Sequence, residues 1–248
     1  MTLEQVLIEK RILPKNIFET CDTQSRNREY PLFPLICMIF LTMDLLSYLY
    51  VYYIIGIFHF IVSCSVFFFT TTYIISDIIV EVYGYSCARR IIWFSLICEG
   101  IFSACIYILG NVHFNNIEFN NQANSILSKN IFRIFLTSLI TTPVGDFVNS
   151  FAISRWKILL NGKYFILRSI FATSLGIIVY CLLTQTMLFY GILSFKHLAL
   201  LIGSSIMFKI LFVTICAIPA TLIMFFLKKF EKSDPYDFGI NYNPFKLI

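Results

Sequence analysis

Apolar residues run along this chain in long, nearly unbroken blocks, and polar residues are confined to the stretches between them. Six blocks stand out, at about 32–52, 56–79, 91–110, 131–153, 166–193 and 198–227. Each supplies about the 20 residues that a helix rising 1.5 Å per residue needs to cross a hydrocarbon layer ~30 Å thick. Only Tyr53, Ile54 and Ile55 separate the first two blocks. One helix through both would be roughly 70 Å long, too long for one crossing, so two spans are predicted. The pattern predicts an all-α fold, a polytopic membrane bundle of about six transmembrane helices. Residues 1–30 read as a cytoplasmic N-terminal extension and 31–229 as the six-helix domain. Residues 230–248 read as a flexible cytoplasmic tail, because Pro235 and Pro244 stop the helix.

Composition agrees. Of 248 residues 58% are hydrophobic and 13% charged, with a mean hydropathy of +0.79, whereas a soluble domain carries roughly 25% charge. No separate soluble domain fits. The 27 Phe and 14 Tyr set against 10 Gly and 7 Pro suit long helices better than the even alternation of an outer-membrane barrel. The first 30 residues hold five basic and five acidic residues before any apolar run, unlike a cleavable signal peptide.

The net charge of +5 is no sign of nucleic-acid binding, because the basic residues lie between apolar blocks. With the ends and alternate loops in the cytoplasm, fifteen of the nineteen Lys and Arg residues fall on that side; Lys129, Arg133 and Lys196 lie opposite, and Lys209 lies within the last block. That bias predicts both termini in the cytoplasm, in the cytoplasmic (inner) membrane. The Asn-rich stretch 111–130 reads as an external loop, a lid or a disordered segment.

The eight cysteines form no CxxC and join no histidine cluster, and the three histidines, His59, His113 and His197, belong to different segments. No metal site and no cofactor are expected. The chain lacks GxSxG, HExxH and GxxxxGK[ST], so an enzyme is not expected either, and any ATP coupling would need a separate module.

Ionisable residues at bilayer depth cost several kcal/mol unless they face a partner or a watery cavity. The candidates are Asp44, Asp77, Glu81, Glu99, Asp146 and Lys209. Asp77 and Glu81 are spaced i, i+4 and share a helix face, where two carboxylates repel unless a cation, proton or donor-rich ligand separates them. The structural alternative has Glu81 snorkelling into water and Asp77 bonding a neighbouring helix. Asp146 and Asn149, spaced i, i+3 beside Pro143 and Gly145, share a face for ligand binding or helix packing. Lys209 has no acid in its own block, so a cross-helix ion pair with Asp77, Asp146, Glu99 or Asp44 is expected. Asp44 and Glu99 are candidates for an ion path. The basic residues Arg89, Arg90, Arg155, Lys157 and Lys163 read as topology signals rather than ligand contacts.

The run Thr72-Tyr73-Ile-Ile-Ser-Asp77-Ile-Ile-Val-Glu81-Val-Tyr83-Gly84, followed by Ala88-Arg89-Arg90-Ile-Ile-Trp93, resembles the queuosine-precursor transporters, vitamin-uptake-transporter-like membrane proteins. Their pattern reads TY-x3-D-x3-E-[VI]-[YF]-G and then A-R-R-I-I. Gly145-Asp146-Phe-Val-Asn149 and the segment from Phe208-Lys209 through Pro219 to Lys229 follow in the same order, so the resemblance covers about residues 60–230. It departs where the family shows G-Q-x-x-D and a second G-x-x-x-D-T, which here read Gly145-Asp146-x-x-Asn149 and Gly176-x-x-x-Tyr180-Cys181.

The resemblance implies an importer of a 7-deazaguanine base: queuine, or its aminomethyl or nitrile precursor. Its substrate site would comprise Asp77, Asp146, Asn149, Lys209, Tyr73 and Thr72, and Glu81, Tyr83, Gly84, Arg89 and Arg90 would form a cytoplasmic gate or loop. A guanine-like base presents an N–H and an amino group side by side, and a buried carboxylate accepts both. The implied partners are that small molecule and the lipid bilayer, with a homo-oligomer or an ATPase module as further candidates. Two alternatives stand beside the importer: a substrate-binding subunit that needs a separate ATPase, and a structural membrane protein without transport activity.

Overall fold

The computed structural model describes residues 30–51, 53–57, 60–111, 118–189, 191 and 194–246. The predicted N-terminal extension therefore lies almost wholly outside the described residues, as do His59 and His113. Six helices occur among them: α1 (Phe33–Leu49), α2 (Ser65–Tyr83), α3 (Tyr85–Gly110), α4 (Glu118–Leu159), α5 (Phe165–Phe189) and α6 (Phe195–Glu231). Five are long and apolar enough to cross a membrane, and α1 is a shorter apolar helix of 17 residues. The all-α multi-pass architecture expected from the apolar blocks is the architecture present.

The bundle is polar inside and apolar outside. Phe94, Ile97 and Ile101 on α3, and Leu211, Ile215, Ile218 and Leu222 on α6, point outward, whereas Asp77, Glu81, Glu99 and Asn149 are buried. That inversion is stable only in hydrocarbon. The most enclosed element is α2, which packs against each of the other five helices. It carries Thr70, Thr72, Tyr73, Ser76, Asp77 and Glu81, all buried.

Three boundaries depart from the sequence reading. The second block begins as a helix at Ser65 rather than 56, because Ile54–Ile57 and Phe60–Ser63 form an antiparallel hairpin, β1 and β2, with Ile54 opposite Ser63 and Ile57 opposite Phe60. Bulky β-branched residues favour a strand, and Gly56 weakens a helix. Ser63 ties the hairpin down, its hydroxyl lying 2.6 Å from the Val51 carbonyl.

The third block starts at Tyr85, not 91, and Gly84 alone joins α2 to α3. Gly84 adopts φ 86°, and a Cβ there would stand 3.0 Å from Asp237 Oδ1, so backbone conformation and space both demand glycine. The predicted cytoplasmic loop around Glu81, Tyr83, Gly84, Arg89 and Arg90 is consequently a helix–glycine–helix corner. Finally, α4 starts at Glu118 and carries Pro143 inside it, so much of the Asn-rich stretch read as a loop is helical.

After α6 the chain turns back. Residues 232–246, most of the 230–248 stretch read from sequence as a flexible tail, contact α3, α4 and α6. Asp237 accepts the Tyr85 backbone N–H at 3.0 Å and the Ser154 hydroxyl at 2.6 Å, satisfying a donor that the start of α3 leaves open. Arg89 donates to the carbonyls of Asn241 and Asn243 at 2.9 and 3.0 Å, and Trp93 to that of Pro244 at 2.8 Å. Arg155 sits 4.4 Å over the Tyr242 ring.

Candidate functional site

Tyr73, Asp77 and Glu81 recur every four residues on α2 and so share one face. Around Asp77 that face meets a cage of neutral donors. Asn149 of α4 donates its amide to Oδ1 at 2.7 Å; Thr173 of α5 donates to Oδ2 at 2.7 Å, and Ser169 donates to the same oxygen. Ser169 and Thr173 stand one turn apart on α5, which is why both reach one oxygen. With three donors and no cation, Asp77 joins α2, α4 and α5.

Next to the cage, α4 and α5 cross at Gly145 and Gly176. A Cβ on Gly176 would lie 2.9 Å from the Gly145 carbonyl and 3.0 Å from both Asn149 Cβ and the Tyr73 ring. The glycines let two backbones close on the Tyr73 ring, and the Tyr73 hydroxyl faces the Asp146 carboxylate. Several polar atoms here are buried without a hydrogen-bond partner: the Tyr73 hydroxyl, Asn149 Oδ1 and Thr70 Oγ1. Unmatched buried polar atoms are uncommon, and in a membrane interior they are costly. The Thr72 hydroxyl, by contrast, is used by its own helix, donating to the Phe69 carbonyl at 2.7 Å.

One turn from Asp77, Glu81 is enclosed rather than snorkelling: its side chain is 0% exposed. Arg168 donates to both its carboxylate oxygens, Nη1 at 3.0 Å and Nη2 at 3.3 Å; Lys228 reaches it at 2.6 Å and Lys157 at 3.5 Å. Lys157 and Lys228 also clasp Asp234 of the tail, at 2.6 and 2.7 Å. Three cations thus balance two carboxylates, Glu81 enclosed and Asp234 half exposed. In Asp234, burial acts to raise the carboxyl, but Lys157 and Lys228 outweigh it and hold the group below its ordinary value. Burial prevails in Asp237, whose carboxyl is pushed up despite the Ser154 and Tyr85 donors.

The remaining members of the predicted gate are spread along the helix corner. Tyr83 donates to Glu231 at 3.2 Å; Arg89 is buried under the tail and Arg90 is exposed. Lys209 forms no ion pair with a carboxylate of the described residues, against expectation. Its ammonium lies 4.8 and 4.7 Å over the rings of Phe69 and Tyr180 and 3.4 Å from Cys181 Sγ. The physical reason is local. Tyr180 and Cys181 stand where the related pattern carries Asp-Thr, so aromatic faces take the place of an acid.

Lys209 also lines a cavity of about 50 Å³ with Ser47, Tyr48, Phe69, Ser138, Thr142 and Tyr180. On its far side Tyr48 donates to Glu99 and contacts Ser138 Oγ, and Asp44, one turn from Tyr48 on the same face of α1, is a close neighbour of Glu99. Asp44 and Glu99 are thus brought together, while Asp77, Asn149, Tyr73 and Asp146 gather separately around α2. Sequence reasoning missed Ser169 and Thr173, whose i, i+4 spacing was the available signal. It also missed the inward roles of Lys157, Arg168 and Lys228, whose charges had been assigned to topology.

A bundle with an apolar exterior, an enclosed polar face and a small interior cavity is a polytopic α-helical membrane protein. The chain belongs to the vitamin uptake transporter family: the family described as "Putative vitamin uptake transporter" matches residues 63–224, the stretch from β2 to near the end of α6. Neither a curated protein nor a solved structure matches it. The queuosine-precursor transporter resemblance agrees with this membership.

Proposed function

We propose that this protein imports a queuosine precursor, a 7-deazaguanine base, across the cytoplasmic membrane, with both chain termini on the cytoplasmic side. The observation that supports the reading is the pair of acceptors on one face of α4: the Asp146 carboxylate and the unpartnered carbonyl oxygen of Asn149. A guanine-like edge presents adjacent N–H donors, which two neighbouring acceptors satisfy. Asp77 fixes the orientation of Asn149 by taking its amide, and the Tyr73 hydroxyl lies alongside to bind the ring. The cavity beside Lys209, about 50 Å³, is water-sized and is not lined by Asp146 or Asn149, and the α4 and α5 backbones close on Tyr73 at Gly145 and Gly176, so loading requires α4 and α5 to move relative to α2.

Uptake of labelled queuine and its two precursors by cells unable to make queuosine tests the proposal. Expression of this chain is expected to restore uptake, and Asp77→Asn to abolish it while the protein still reaches the membrane.

One observation favours a second reading, a structural membrane protein: Asp77 and Glu81 are both saturated by side-chain partners, as packing alone would require. A thermal-shift screen separates the two. Stabilisation by any 7-deazaguanine supports transport, and no response to all three bases supports the structural role.

A further inference from the structure

Glu81 is surrounded by three cations, yet two other carboxyl groups of the same bundle have none. Asp44 on α1 is 2% exposed and Glu99 on α3 is 0% exposed. They belong to facing sides of α1 and α3, since Tyr48, one turn from Asp44 on the same face of α1, donates to Glu99, and no Lys or Arg of the described residues lies within ion-pair distance of either. Two neighbouring carboxyl groups can hydrogen-bond to each other only when one of them carries a proton, since carboxylates have no donor. Two bare charges in contact in a hydrocarbon-embedded bundle would repel strongly, and so the arrangement persists only with that proton present.

Unpartnered atoms mark the same place independently. Glu99 Oε1 has no hydrogen-bond partner, and neither has the fully buried Ser103 hydroxyl, one turn along the same face of α3. The pair also has an outlet. Tyr48 donates to Glu99 and contacts Ser138, and Tyr48 and Ser138 both line the cavity. Across that cavity stands Lys209, which has two ring faces and a sulfur for company. The other titratable groups facing the pair are Tyr48 of α1, Asp146 of α4 and Tyr180 of α5.

We infer that Asp44 and Glu99 form a proton-binding site that couples proton movement to the transport step, with Lys209 as the alternative partner of the pair once its proton leaves. The coupling rests on the transport reading; the proton site itself does not. With the proton bound, α1 and α3 are held together at the pair and Lys209 stays over Phe69 and Tyr180. When the proton leaves through the Tyr48 and Ser138 hydroxyls, each hydroxyl gives one proton and takes one, and the second negative charge remains on the pair. That charge repels its neighbour and attracts the Lys209 ammonium across the cavity, drawing α6 toward α1 and α3. Proton occupancy thereby selects between two helix arrangements.

Two measurements test this and fail independently. Infrared difference spectra of the purified protein in lipid nanodiscs, taken across a pH step without substrate, are expected to show a protonated-carboxyl C=O band that is lost in both Glu99→Gln and Asp44→Asn. The second variant serves if the first does not reach the membrane. In proteoliposomes, an inward proton gradient is expected to drive accumulation of labelled queuine by the unaltered protein. Glu99→Gln is expected to lose that accumulation at least tenfold while exchanging internal for external base. An unchanged infrared band in both variants, or full gradient-driven accumulation by Glu99→Gln, overturns the proton site. Absence of any base exchange by the unaltered protein removes the transport reading and the coupling, while the infrared result still decides the proton site.

Discussion

Asn149 gives its side-chain amide to Asp77 across 2.7 Å and keeps its own carbonyl oxygen buried and unpartnered. One residue is therefore locked at one end and free at the other. The locked end is structural, and the free end is the one available to a solute. Replacing Asn149 with Ala removes both, and is expected to lower stability by about 1.5–3 kcal/mol, the worth of a hydrogen bond to a charged group. Asn149→Asp puts a second acid against Asp77 and should be worse. Thermal unfolding in detergent, with both variants compared with the parent, checks the order.

The Glu81 cluster makes a graded prediction. Removing Glu81 leaves three cations with Asp234 as their one remaining carboxylate, and Arg168 with none, whereas removing one cation leaves two cations for two carboxylates. Glu81→Gln is expected to cost about 3–5 kcal/mol, as for a broken buried pair. Arg168→Gln, which loses a bidentate contact from a side chain 1% exposed, should come next. Lys228→Gln should cost least, because Lys228 is the most exposed of the three at 17%. An equal loss in all three variants would contradict the cluster as described.

At the α4–α5 crossing, an added methyl has nowhere to go. Gly176→Ala places a Cβ within 2.9 Å of the Gly145 backbone carbonyl, and backbone cannot rotate aside as a side chain can. Overpacking of this kind typically costs 1–3 kcal/mol. Uptake should fall as well, because Tyr73 and Asn149 are displaced together. Gly203→Ala, which meets nothing within 4 Å, is the control and should unfold at the parental temperature.

Docking of the tail has a pH signature. Asp234 is held below its ordinary value in the folded protein, so its clasp on Lys157 and Lys228 is fully present above the ordinary aspartate value of ~3.9. The clasp weakens as pH falls below that, through the folded value. Trp93, which donates to Pro244 of the tail, reports release. In a Trp156→Phe background the part of its emission change owed to Asp234 should be a red shift that begins only below about pH 4. Asp234→Asn should show the shifted emission at neutral pH, and an acid transition that persists unchanged in that variant would contradict the clasp.

Apolar blocks revealed the helices because lipid demands length and hydropathy, and both are visible in a line of letters. They did not reveal the hairpin, since Ile, Phe and Val satisfy a strand and a membrane helix equally in hydropathy; Gly56, His59 and Ser63 were the discordant residues. The pair Asp77 and Glu81 stood out from their shared face, but their different surroundings did not. A cation's place in sequence does not say whether it turns inward, so Lys157, Arg168 and Lys228 read as topology marks while folding onto Glu81. Asp237 shows the same limit, since it caps α3 from about 150 residues away in sequence. Lys209 was legible as an anomaly, and its aromatic partners were not, because Phe69 and Tyr180 come from two other helices.

Equilibrium binding of a labelled 7-deazaguanine base to the purified protein tests the central claim most directly. Saturable binding is expected in the parent, weakened at least tenfold in Asp146→Asn and in Asp77→Asn, with both variants still folded by thermal unfolding. Absence of saturable binding by the parent, or unchanged affinity in both variants, would contradict it.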